Sequence, residues 1–277
     1  YIYIYIYMFL NIDVLEDTNN IPLNFNKPYI LKNNKMTAIK KWNINYLKKQ
    51  LNDTFVTVKY YKSMKNCQTE SGIEIDTKFN EYMSDIENGR LGYLLELELK
   101  NMENVLDKND TIERFKFRRP CESKQLYLGI NTYSNSHIHL NNDVVLNQIC
   151  GKKIVYMYDY YDNPSLELVS IFNKCSNFIK NNFWTLDLSK YKLYKVVLEP
   201  GDCLLIPPLW YHAVKGIDLS YSIAFVYKRT DFKYMKMGDL KIRTLLFQNI
   251  IDMKVILLYI ITSCILNNIF FTSSSMS

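Results

Sequence analysis

Across residues 125–227 six short segments rich in β-branched and aromatic residues follow one another: QLYLGINTY, DVVLNQI, KIVYMYDY, YKVVLE, DCLLIP and LSYSIAFVY, set apart by turn residues. Strands this short and this numerous bury their apolar faces by pairing antiparallel into a sandwich or barrel. Only SLELVSIFNKCSNFIKNNF (165–183) has helical length within that span. Upstream, IKKWNINYLKKQL (39–51) predicts a short amphipathic helix, TFVTVKYY (54–61) a strand, and residues 77–106 a charged helical stretch. With 277 residues, 48% of them hydrophobic, the chain can bury a full core, so one domain with extensions is expected rather than two independent units.

Charge and cysteine usage narrow the setting. The net charge of +6 is spread over small basic clusters interleaved with Asp and Glu, which is weak support for a nucleic-acid partner. The six cysteines form no CxxC pair and no regular spacing, as in a reduced cytoplasmic or nuclear protein. The opening tract YIYIYIY precedes Met8, the expected initiator, and residues 1–19 are treated as an extension. The uncharged run 255–271 reads as a packed or dimer-forming helix more readily than as a membrane tail anchor, being at the short end of the spanning range and interrupted by Asn267 and Asn268.

The chain has only three histidines. His137 and His139 lie in SNSHIHLNNDVV, and His212 follows 73 residues after His139 in LWYHAVKG. On a straight strand alternate side chains share a face, so His137, His139, Asn141 and Asp143 would point the same way. An antiparallel barrel can bring that face against the strand of His212. Two imidazoles from distant strands with one oxygen ligand describe the facial triad of non-haem Fe(II) oxygenases, with positions left open for cosubstrate and oxygen. The alternative is two unrelated histidines, one in a core and one on a loop.

LEPGDCLLIPPLWYHAV (198–214) resembles the second metal motif of the cupin-like JmjC hydroxylases: a PGD turn, a strand, a proline, an aromatic pair and the distal histidine. LYLGINTYSNSHIHLNNDVVLNQICGKKIVYMY (126–158) is similar to the first motif, in which a strand and His-x-Asp precede a glutamine, a glycine and a lysine. The likeness covers roughly residues 20–230, and the closing strand is similar to that of the small JmjC-only protein hydroxylases.

The resemblance implies a mainly β double-stranded β-helix, a cupin-like jelly roll with an N-terminal α/β extension and C-terminal helices. Its parts would be an α/β region over 20–124, a jelly-roll core over 125–230 and a helical segment over 231–277. It also implies Fe(II) and 2-oxoglutarate as cofactors, His139 and His212 as catalytic iron ligands, Lys153 on the far carboxylate of the oxoacid, and Ser136 as a hydroxyl helping to hold it. The sequence departs from the family where His139-Leu140-Asn141 stands for His-x-Asp. The third ligand position would fall to Asn141, with Asp143 as the alternative if the loop turns it inward. A carboxamide brings no negative charge to a hard dication, so a weakened site is expected. The family's chemistry would act on a protein side chain; the alternatives are a tRNA base, as in the wybutosine enzyme, or partner binding without catalysis. Trp210 and Tyr211 are expected to pack the barrel mouth, and Asp202 to fix the PGD turn.

Overall fold

The computed structural model describes residues 9–15, 25–32, 34–69, 71–112, 120–163, 165–169 and 177–229. Its elements run β1 (Asp13–Leu15), β2 (Tyr29–Leu31), α1 (Thr37–Lys41), α2 (Ile44–Leu51), β3 (Phe55–Tyr61), α3 (Met64–Gln68), β4 (Ile73–Lys78), α4 (Phe79–Glu87), β5 (Leu91–Glu98), β6 (Ser123–Ile130), β7 (Tyr133–His137), β8 (Asn142–Asp159), β9 (Tyr194–Leu198), β10 (Cys203–Ile206) and β11 (Trp210–Lys228), with short 3₁₀ turns between some of them. The expected 231–277 helical segment and the 255–271 run lie outside the described residues. No described helix is long and apolar enough to cross a membrane.

Two long strands, β8 and β11, organise everything else. They pair antiparallel along nearly their whole length, from Trp210 opposite Asp159 to Lys228 opposite Asn142. Register slips on β11 around Ile217–Ser222, with Gly151 at φ 66° and Asp218 at φ 50°, let the ribbon bend at its middle. Each half therefore has its own neighbours within one hydrogen-bonded network of 11 strands: the path β1-β2-β10-β8-β11-β6-β5-β3-β4 forms its larger sheet, and the branch in which β9 flanks β8 and β7 flanks β11 its smaller one. The result is the jelly roll that the family resemblance implies, and it is one form of the antiparallel sandwich or barrel expected from the strand-rich sequence. Between the two sheets lies an apolar layer that includes Leu146, Val155, Met157, Leu198, Leu204 and Trp210, while Leu47, Leu51, Phe79 and Tyr82 from the helices pack on the outer face of the larger sheet with Leu126, Ile223 and Phe225.

Local chemistry explains where the elements differ from expectation. The 39–51 helix is broken in two: Asn43 caps α2 by accepting from the Tyr46 N–H at 2.9 Å, and the Trp42 indole before it donates to the buried Asp110. Within residues 77–106 the α-helix is confined to α4, with one short 3₁₀ turn at Leu99–Met102. Gly89, at φ 85°, ends that helix, and LGYLLELE then pairs with β3 and β6, tertiary pairing overriding helical propensity. The described ends of the 165–183 segment are not helical either; Leu168 and Ile179 bridge antiparallel, and Phe178 bridges His137. Their apolar residues cover a third cluster, with Ile138, Tyr158 and Tyr211 on the outer face of the smaller sheet.

Candidate metal centre

Strand pairing brings the histidines together. His137 ends β7 directly opposite His212 on β11, and His139 follows two residues later on the segment between β7 and β8. That segment is pinned from both sides. Leu209, held at φ 62°, donates its N–H to the His139 carbonyl at 2.9 Å, and the Ile138 N–H donates to Asn177 O at 3.0 Å. The ligating nitrogens of the three imidazoles all lie within 4.8 Å of one another. Phe178 stacks on His137 at 4.9 Å between ring centroids.

The tautomers follow from hydrogen bonding. Nδ1 of His137 contacts Asn135 O at 3.1 Å, and Nδ1 of His212 contacts Trp210 O at 3.1 Å. A carbonyl oxygen only accepts, so each Nδ1 carries the proton and each Nε2 keeps its lone pair, the arrangement that orients metal-binding imidazoles. Burial pushes all three below the usual histidine range, His139 down to about 3, with the neighbouring imidazoles adding to the effect on His139 and His212. Three neutral rings that each bring a ring nitrogen within 4.8 Å of the others suit a divalent transition metal.

Folded histidine pKa values depressed in this way contribute stability that is present above about pH 6.5 and lost as pH falls towards 3. The metal-free protein is therefore expected to lose melting temperature from pH 6.5 downward, and more steeply than a variant with all three histidines replaced by asparagine. Parallel slopes in thermal scans would remove the histidines from that linkage.

Deeper along the same inward face sits Lys153. It lies four residues before Met157, the residue opposite His212, which is about 13 Å by strand rise. It is 1% exposed; its ammonium donates to Ser222 Oγ at 2.5 Å and stands 5.9 Å from the centroid of the Tyr127 ring. Desolvation pushes it down to about 7. No acidic partner of Lys153 occurs among the described residues. Around it, Ser222 pairs in register with Gln148, and Ser220 stands two residues away on the same face. Ser220 Oγ and Gln148 Oε1 are buried with no hydrogen-bond partner among the described residues. The Lys153 amine and the unpaired Ser220 hydroxyl are donors suited to an anion's carboxylate, whereas Gln148, whose Nε2 already donates to the Cys150 and Gly151 carbonyls, offers only an acceptor oxygen.

Other expected site residues lie elsewhere. Ser136 alternates away from His137, and its hydroxyl bonds the Tyr158 hydroxyl at 2.6 Å in the cluster on the far side of the sheet. It does not reach Lys153, and Ser222 stands there instead. Asp143 is not an alternative ligand: it points across the β8–β11 pair to Arg229, whose Nε donates to both its oxygens at 3.0 and 2.8 Å. The shared-face argument fails because β7 stops at His137 and β8 starts at Asn142, so Asn141 lies on the turn between them, its carbonyl accepting from the Arg229 N–H at 2.6 Å. Asp202 fixes the PGD turn by accepting from the Glu199 N–H at 2.9 Å. The same turn exchanges backbone bonds with Gln148, docking the second motif onto the first. Trp210 faces the inter-sheet layer and Tyr211 stacks on Tyr158 outside it. Sequence reasoning missed Ser222, which had no signal beyond its place on the closing strand.

A jelly roll with three gathered histidines that could hold a metal ion, and a lysine buried behind them, has the architecture of a cupin. Residues 22–232 match the family model described as "Cupin-like domain", and the chain belongs to that family, in its JmjC-type branch. It is 24% identical over 215 residues, 72% of this chain, to "Lysine-specific demethylase 8" of Xenopus tropicalis, and 45% identical over 38 residues, 14% of this chain, to "Jumonji C domain-containing protein 5" of Drosophila melanogaster. The chain spans 47% of the length of the frog protein and 10% of the fly protein.

Proposed function

We propose that this chain is an Fe(II)- and 2-oxoglutarate-dependent oxygenase that hydroxylates a protein side chain. The observation that carries the reading is Lys153, a buried base without an acidic partner among the described residues, on the same inward face as His212. Burying an amine there is costly unless an anion completes it. Lys153 and Ser222 would bind the far carboxylate of the oxoacid, and Ser220 would add a hydroxyl. The imidazoles would hold the iron at the mouth. When bound, iron and oxoacid supply the oxidising chemistry that breaks a C–H bond. The chain's own part is positioning and exclusion: Val155, Met157 and Trp210 wall the interior against water, and the carbonyls of Asn135 and Trp210 keep two rings aimed. The frog relative is named for a reaction on lysine, which supports a protein substrate.

No carboxylate joins the histidine cluster among the described residues, which favours a second reading, a cupin-like module that binds a partner without turnover. Metal content and succinate release from 2-oxoglutarate separate the two. The parent is expected to bind one equivalent of iron anaerobically and, once oxygen is admitted with 2-oxoglutarate, to form succinate and CO2. His212→Ala is expected to lower metal affinity about a hundredfold or more while leaving the circular-dichroism spectrum intact, because the strands are held by their apolar faces. Equal iron in parent and variant rejects the site; bound iron without succinate supports the binder.

A further inference from the structure

We propose that His137 completes the protein ligand set with His139 and His212, so that the set holds three imidazoles and no carboxylate, and that this all-imidazole set holds its metal tightly only together with an anionic co-ligand anchored at Lys153. The inference rests on the proposed function and specifies how that site is built.

Three observations converge on His137. It pairs across the β7–β11 ladder with His212, the histidine of the second motif, and their ring centroids are 4.1 Å apart. Its Nδ1 is tied to a main-chain carbonyl two residues before it in the sequence, as is that of His212, so the two rings present Nε2 in the same way. The nearby carboxylate that might compete, Asp143, is bound to Arg229. Three nitrogens around one divalent ion at about 2.1 Å stand about 3 Å apart, so a set already within 4.8 Å closes by small side-chain rotations.

The consequence is electrostatic. A carboxylate ligand would cancel one of the metal's two charges, whereas three imidazoles cancel none. The dication then sits beside an apolar layer with another basic group, Lys153, further in along the same face. Uncompensated charge in such surroundings is costly. A dicarboxylate that chelates the metal at one end and meets Lys153 at the other supplies the missing negative charge to both. Metal and anion then stabilise each other, and by linkage each raises the other's affinity by the same factor.

The test uses the full chain and Co(II), which binds without turnover. Absorption titrations would be run with and without saturating 2-oxoglutarate on the parent, His137→Ala and His137→Asp; Cu(II) electron paramagnetic resonance would count coordinated nitrogens. The expected results are three imidazole nitrogens in the parent and two in His137→Ala, with Co(II) affinity rising tenfold or more on adding 2-oxoglutarate to the parent. His137→Asp should bind Co(II) alone more tightly than the parent and respond less to the acid. An unchanged nitrogen count and affinity in His137→Ala would overturn the ligand assignment while leaving the oxygenase reading intact. An equal response to 2-oxoglutarate in parent and His137→Asp would overturn the charge argument. Failure of the parent to bind Co(II) under either condition would overturn the proposed function and this inference together.

Discussion

Arg229→Ala is expected to destabilise the fold by about 3–5 kcal/mol, the usual cost of removing one partner from a buried ion pair. Arg229 and Asp143 are 2% and 0% exposed, and their contact closes the far end of the β8–β11 ribbon. The same guanidinium donates to the Asn26 side chain and the Phe25 carbonyl, tying the segment before β2 to the end of β11. Removing it leaves a carboxylate sealed among apolar residues and frees that segment. Replacing both partners by apolar residues, Arg229→Met with Asp143→Leu, should cost much less, because no unpaired charge remains. Denaturant unfolding gives the comparison. A single variant as stable as the parent would mean that the pair contributes nothing, and a double variant as unstable as the single would mean that packing rather than charge governs this end of the ribbon.

Lys153→Ala is expected to weaken 2-oxoglutarate binding about a hundredfold or more, while Co(II) affinity measured without the acid changes little. The effect has a pH signature. The folded, ligand-free lysine is pushed down to about 7 by burial, from an ordinary value of 10.5, so its contribution to folding is most favourable above 10.5 and is lost as pH falls towards 7. A bound carboxylate restores the ammonium. Between about pH 7 and 10, binding should therefore take up a proton at this site, and affinity should fall as pH rises. Calorimetry in buffers of different ionisation enthalpy measures that uptake, and it should vanish in Lys153→Ala. Undiminished affinity in the variant would leave Lys153 a structural residue only.

Much of the architecture was legible in the residues. Each of the six β-rich segments between 125 and 227 has most of its residues in a strand, and the PGD turn with Asp202 at its base stands where its composition placed it. Those features are local: alternation, β-branching and turn chemistry act within a few residues. The misreadings came where distant pairing overrode local pattern. LGYLLELE has helical spacing yet bonds to β3 and β6, and the ends of the 165–183 segment bridge one another and His137.

The sequence by itself determined that this chain is a β-rich cupin-like protein with three histidines and a lysine in the right motifs, because residue type and spacing carry that information directly. Which of those residues share a site was decided by tertiary structure alone. The i, i+2 rule would have aimed Asn141 and Asp143 with the histidines, but the strand ends at His137, and a chain that turns there no longer obeys a two-residue period. Across the ribbon, Arg229 takes Asp143. His137 meets His212, and Lys153 meets Ser222, through pairings 75 and 69 residues apart. Contacts of that range arise only when β8 and β11 bend together and close the barrel, since no local period in the chain encodes a cross-strand partner.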